Sequence, residues 1–209
     1  MTDEVALIVG GGPGISASCA RLFRQEGMQV AIAARTPNKP VLKALEDEYG
    51  VRCYQSDASD PNQVEELFAT VQDEIGLPKL VVHNIDGRSR EIFRKGVAEA
   101  EPSLVLDVIK NSAFSAFLVA QQATKLMLAS PIPENGHRGT VIFTNASAAM
   151  KGYPKSGAFA MACQGKSGLA ESMARELMPE GIHVANVPID AAIGVTQEDG
   201  SRAHWGAGD

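Results

Sequence analysis

Residues 5–16 read VALIVGGGPGIS, and this stretch decides the fold. An unbroken run of Val, Ala, Leu and Ile is what a strand buried on both faces requires. It breaks into glycines, and a segment of helical period follows. Strand, glycine turn and helix in that order make a phosphate-binding unit, in which glycines let the backbone approach a diphosphate and the amides of the helix N-terminus face the anion. Gly10, Gly12 and Gly14 are the expected phosphate-binding positions.

The same grammar continues outward. Apolar runs at 5–10, 29–34, 51–56, 79–84, 139–144 and 182–187 alternate with helical segments near 14–26, 39–49, 61–75, 102–129 and 157–178. Strands alternating with helices predict an α/β fold: a doubly wound parallel sheet with helices on both faces. One helix start is explicit, because Asp60 can cap, Pro61 suits the first helical position, and Val64, Leu67, Phe68 and Val71 then recur at helical spacing. The 209 residues contain no linker or repeat, so a single domain is expected over 1–209, with 189–209 as loop or disordered chain.

Composition narrows the function classes. A formal net charge of −6 with no basic cluster excludes the usual footprint of a nucleic-acid or anionic-membrane binder. Acidic residues precede the first apolar run, unlike a secretory signal, and Ser, Gln and Lys interrupt the apolar helix segment SAFSAFLVAQQATKLMLAS, so no membrane partner and a cytoplasmic location are expected. Cys19, Cys53 and Cys163 are odd in number and far apart, which points to buried thiols and to no metal site.

At the end of the second run the sequence is IAARTPNK. A carboxylate there would accept both adenosine ribose hydroxyls and favour NAD, whereas Arg35, with Lys39 close behind, suits a 2′-phosphate. NADP(H) is therefore expected over NAD(H).

From about Val5 to Pro188 these residues resemble the short-chain dehydrogenase/reductase family. Gly10, Gly14 and Ile15 match its TGxxxGIG turn, with Ser16 in place of the last glycine and its hydroxyl available to a phosphate. Asp57 resembles the acid that contacts the adenine amino group. HNIDG resembles the NNAG motif, with Asn84 retained while His83 and Asp86 replace Asn and Gly. Asn111 resembles the family's helical asparagine, and Pro188 the proline after the sixth strand. Most members continue into a substrate lid, a further helix and a seventh strand, so the resemblance implies a shortened C-terminal part. It also implies a homodimer or homotetramer, in which SAFSAFLVAQQATKLMLAS and GAFAMACQGKSGLAESM, rich in small residues, pack against their copies.

The family's chemistry rests on a tyrosine that donates a proton, a lysine four residues later on the same helical face, and a serine thirteen residues before the tyrosine. The register of SGLAESMARELMPEGIHVANV places Phe159, Cys163 and Ala146 at those positions. Asn111 alone remains of the tetrad. Asp86, with Arg88 and His83 near it, is the candidate acid or base, while a cap or turn role in NIDG, which Asp favours for local hydrogen bonding, weighs slightly more. Lys166, seven residues beyond Phe159, reads as a solvated surface lysine, and Ser147 as pointing away from its neighbour Ala146. The function expected is an NADP(H)-dependent oxidoreductase acting on a small carbonyl or alcohol with a non-standard site. The alternatives are a non-redox nucleotide-binding sensor or scaffold, and a lyase or cyclase reusing the pocket.

Overall fold

Each of the six apolar runs forms a strand in the computed structural model, which describes residues 4–134, 136–191, 193–196 and 202–204. The strands are β1 (Val5–Val9), β2 (Gln29–Ala34), β3 (Arg52–Gln55), β4 (Pro78–His83), β5 (Gly139–Ala146) and β6 (Ile182–Ile189). All pair in parallel, in the order β3-β2-β1-β4-β5-β6. The chain runs from β1 to one edge, returns to place β4 beside β1, and continues to the other edge. Ligands of such sheets lie outside the strand C-termini at this reversal.

Helices α1 (Ile15–Gln25), α2 (Pro40–Tyr49), α3 (Pro61–Glu74), α4 (Pro102–Ile109), α5 (Ser115–Ala129) and α6 (Gly157–Leu177) cover the sheet. Period-2 alternation divides the core between its faces. Ala6 and Ile8 of β1 pack with Ala17, Ala20, Leu42 and Leu45 of α1 and α2. Val5, Leu7 and Val9 pack with Phe68, Val119, Met127 and Met173 of α3, α5 and α6. At the start of α3, Asp60 accepts hydrogen bonds from the amides of Asn62 at 2.9 Å and Gln63 at 3.3 Å, a cap worth about 1 kcal/mol.

The helical stretch 102–129 is continuous but changes pitch, with a π-helical turn at Lys110–Phe114 joining α4 to α5. Ser115 Oγ bonds the carbonyls of Asn111 at 2.6 Å and Ser112 at 3.2 Å within this turn. Such turns concentrate at functional sites, and this one carries Asn111. The stretch is apolar and long enough to cross a membrane by composition, with a mean hydropathy of 1.5. In the fold it gives Ala116, Val119, Ala120, Ala123 and Met127 to the main core.

The tail differs from the loop expected over 189–209. Ile189 ends β6, and β7 (Gly194–Thr196) pairs antiparallel with β8 (Arg202–His204). Val195 and Thr196 are strand-favouring residues, which suits this small ribbon. The remaining tail, at 192, 197–201 and 205–209, lies outside the described residues.

Candidate active site

The glycine turn is fixed by backbone contact. Gly10 and Gly11 donate to Ala33 O at 2.9 and 3.0 Å, tying the turn to β2. Gly10 has φ 108°, and a Cβ there would collide with the carbonyl oxygen of Asn84. Gly12 has the opposite surroundings, since a Cβ there would meet no atom within 4 Å. The first glycine packs β1 against the end of β4, and the second faces an open cleft of about 850 Å³.

Gly10, Gly12, Gly14, Ile15, Arg35, Lys39, Asp57, Asn84, Asp86 and Asn111 all line this cleft, so most of the expected nucleotide positions converge. Arg35 is exposed at its rim, and Lys39 Nζ lies 3.4 Å from Gly11 O. Asp57 is held by its neighbour, with Oδ1 accepting from Ser59 N at 2.9 Å and Ser59 Oγ at 2.8 Å. Two expectations are corrected. Ser16 is buried and its hydroxyl donates to Gly10 O at 2.5 Å, so it braces the turn from behind instead of offering its proton to a phosphate. Pro188 lies exposed on the edge strand, and its neighbour Ile189 is the one that lines a cleft.

Asn84 is the hub behind the turn. Its Nδ2 donates to Ser16 Oγ at 2.6 Å, and its Oδ1 accepts from Thr144 Oγ1 at 2.7 Å. This chain links α1, the end of β4 and β5.

At the chemistry end, Ala146, Phe159 and Cys163 meet in one small apolar cluster with Ala148 and Ala160. Burial pushes the Cys163 thiol up, which keeps it protonated and inert. Two cations enter this apolar place. The Arg88 guanidinium lies over the Phe159 ring, 3.6 Å from its centroid. Asp86 holds that guanidinium with both oxygens, Nε to Oδ1 at 2.7 Å and Nη2 to Oδ2 at 2.6 Å. Asp86 Oδ1 also accepts from Arg88 N at 3.1 Å, so the turn role and the ion pair coexist.

Lys166 is the second cation, and the solvated side chain expected for it is wrong. It is 2% exposed, and its Nζ donates to Ile85 O and Thr144 O, each at 3.1 Å, at the floor of a cleft of about 300 Å³ shared with Asn84, Asp86, Phe159 and Cys163. Burial holds its ammonium below the ordinary lysine range, against the opposing pull of Cys163 and Asp86. The sequence carried the signal: Phe159, Cys163, Lys166, Ala170, Met173 and Leu177 form one buried stripe on α6, at alternating spacings of four and three.

His83 does not join Asp86. It is fully buried, with Nε2 2.9 Å from Ser115 Oγ. Because that hydroxyl gives its proton to Asn111 O, Nε2 is assigned as the ring donor. Burial and the Lys166 charge hold the ring well below the usual histidine range, so it stays neutral. Ser147 also departs from expectation. β5 ends at Ala146 and a 3₁₀ turn begins at Ser147, which breaks the alternation and lets both residues line a large apolar cleft of about 760 Å³. Arg88 borders all three clefts and marks their junction.

A doubly wound sheet with a glycine turn at its reversal point defines a nucleotide-binding architecture. Comparison with known proteins narrows it. A family model described as Enoyl-(Acyl carrier protein) reductase matches residues 10–202. Tropinone reductase-like 2 of Erythroxylum coca is 29% identical over 206 residues, covering 96% of this chain and 71% of that protein. The 3-oxoacyl-(acyl-carrier-protein) reductase MabA of Mycobacterium tuberculosis is 29% identical over 197 residues, covering 94% and 71%. A short-chain dehydrogenase from Rhodopseudomonas palustris superposes with a TM-score of 0.79 at 27% identity, covering 91% of this chain and 86% of that one. The chain belongs to the short-chain dehydrogenase/reductase family, whose members bind NAD(P) nucleotides.

Proposed function

We propose that this protein is an NADP(H)-dependent oxidoreductase acting on a small-molecule carbonyl or alcohol through a non-standard active site. The end of β2 supports the cofactor preference, since Arg35 and Lys39 border the nucleotide cleft there and, among the described residues, no carboxylate at that strand end does. The cleft suits the nucleotide in other respects too, with Gly12 facing open space and the α1 N-terminus lacking any side-chain cap. When bound, the cofactor supplies the hydride.

The chain's own residues supply the rest. The turn amides hold the diphosphate, Arg35 and Lys39 the 2′-phosphate, and Asp57 the adenine. The Arg88 guanidinium sits over the Phe159 ring where the clefts meet and offers N–H groups to a substrate oxygen there. Asp86 fixes that guanidinium. Phe159 has no proton to give, so an alkoxide formed there takes its proton from water or through Asp86. Asp86→Asn tells these apart by turnover, which persists if water protonates the alkoxide directly and is lost if Asp86 relays the proton. Phe114 and Phe117, stacked and partly exposed on the long helix, supply an apolar face for a homodimer or homotetramer. The working location is the cytoplasm.

Calorimetric titration with NADPH and NADH, followed by turnover on a carbonyl panel, tests this function. Tighter NADPH binding with consumption of nicotinamide absorbance is expected. Equal affinities, or no binding of either, overturn the assignment. The apolar replacement of all three family groups favours a second reading, a nucleotide-binding sensor or scaffold without redox chemistry. Tight NADPH binding with no turnover selects it. Substrate conversion at constant nicotinamide absorbance selects a lyase or cyclase.

A further inference from the structure

We propose that the large cleft beyond Arg88 binds an amphipathic acid, with an apolar body in the cleft and a carboxylate at its mouth. Naming this molecule as the substrate rests on the oxidoreductase reading. Its binding does not.

Three observations converge on this ligand. The cleft holds about 760 Å³, within the range of small-molecule sites, and apolar side chains form most of its wall. Val97, Leu106, Tyr153 and Met161 line it while remaining 90%, 66%, 38% and 58% exposed. Large apolar side chains left in solvent around one concavity mark a surface that awaits an apolar partner.

The charges are one-sided. Among the described residues Arg88, Arg94, Lys95 and Lys155 line the cleft and no Asp or Glu does, in a chain whose net charge is −6. Asp86 engages Arg88 at the inner end, whereas Arg94, Lys95 and Lys155 are exposed. A cation-only rim around an apolar cavity favours an anionic group at the opening and disfavours a cationic one.

The backbone points to the same two side chains. Among the described residues only Arg94, at φ 59°, and Lys155, at φ 57°, are non-glycine residues in the left-handed region. Glycine occupies that region without the Cβ penalty, so an arginine and a lysine there are held against local preference. Both line this one cleft, where their charge has a use.

Calorimetric titration of the full chain with decanoate, decan-1-ol and decyltrimethylammonium tests the proposal. These probes share an apolar body and differ in the charge of the head. Decanoate should bind about tenfold more tightly than decan-1-ol, the scale of one charge-assisted contact, with the advantage shrinking as salt is added. Decyltrimethylammonium should bind most weakly. The double variant Arg94→Gly/Lys155→Gly should lose the preference for decanoate without a lower melting temperature, because glycine accepts both backbone conformations. Equal binding of acid and alcohol, no binding of any probe, or a preference that survives in the double variant would overturn the proposal. NADPH titration of the same preparation is an independent measurement. Its failure alone removes the oxidoreductase reading and leaves acid binding in place.

Discussion

The two halves of the site are built on different principles. On the β1, β2 and β4 side, recognition rests on backbone: the turn amides, the Gly10 approach to Asn84, and the Ser16–Asn84–Thr144 hydrogen bonds behind it. On the β5 and α6 side, Ala146, Phe159 and Cys163 meet in one apolar cluster, and the Arg88 guanidinium and the Lys166 ammonium reach it from other positions. A backbone-borne site is tied to the fold, because altering it breaks packing. A side-chain-borne site can be rewritten while the helix and strand that carry it stay in place. Belonging to the family therefore says more about the nucleotide cleft than about the reaction.

The largest expected effect tests the backbone half. Gly10→Ala places a Cβ against Asn84 O and Ile85 at a positive φ, and should destabilise the fold by about 2–5 kcal/mol. Gly12→Ala, which meets open space, should leave stability within about 0.5 kcal/mol while weakening NADPH binding. Denaturant unfolding and calorimetry on both variants check this. Equal destabilisation by the two would erase the distinction between packing glycine and ligand-facing glycine.

The next effect tests the rewritten half. Lys166→Met removes the desolvation penalty of a buried ammonium at similar volume but gives up its hydrogen bonds to Ile85 O and Thr144 O, so any net advantage lies at lower pH, where wild type carries the buried charge. The pH dependence gives the sign. Burial lowers the folded pKa of Lys166 below its ordinary 10.5, so in the window between the two values the unfolded chain binds more protons. Stability from this group therefore rises with pH through that window and levels off near 10.5; below the folded value the buried charge is a constant penalty. The advantage of Lys166→Met over wild type should shrink as pH climbs, read by unfolding curves at matched pH. A pH-independent difference would mean that the ammonium is solvated after all.

These contrasts also explain what the sequence could disclose. The six strands were legible to within about two residues, because a parallel sheet buried on both faces leaves unbroken apolar runs, and the start of α3 was legible from Asp60 and Pro61. The nucleotide cleft was legible because its elements follow one another in chain order. The contacts of Lys166, Arg88 and Ser147 were not, although the apolar stripe of α6 marked position 166 as buried. Lys166 is held by two carbonyls, Ile85 O just after β4 and Thr144 O in β5, that converge only in the folded sheet, and Arg88 by a ring on a helix far along the chain. Ser147 depends on where a strand stops, the least readable feature of any pattern.

A smaller effect isolates the phosphate contact. Arg35→Ala should narrow the difference between NADPH and NADH affinity by about 1–2 kcal/mol, mainly by weakening NADPH. Lys39 stays at the rim and retains part of the preference. An unchanged difference in calorimetric titration would move the selection to Lys39 or remove it from this rim.

The smallest effect is expected where intuition places the largest, at Phe159, the position the proposed register gives to the family's tyrosine. Phe159→Tyr restores the phenol without its surroundings. An unperturbed phenol has a pKa of about 10, and it gives up a proton readily near neutrality only when a positive charge lowers that value. Cys163 supplies none. Lys166 lies one turn further on with its Nζ bonded to Ile85 O and Thr144 O, and Arg88 sits over the ring face with Asp86 offsetting its charge. Turnover on the carbonyl panel should change by less than about threefold. Adding Cys163→Lys alone would set two buried ammonium groups three residues apart on one helical face, which repel. A working pair thus needs the triple variant Phe159→Tyr/Cys163→Lys/Lys166→Met, whose turnover should exceed that of Phe159→Tyr. A tenfold gain from Phe159→Tyr alone would show that Arg88 or Lys166 already activates a phenol at this position, and that the second half of the site has kept the electrostatics of the pair while losing its side chains.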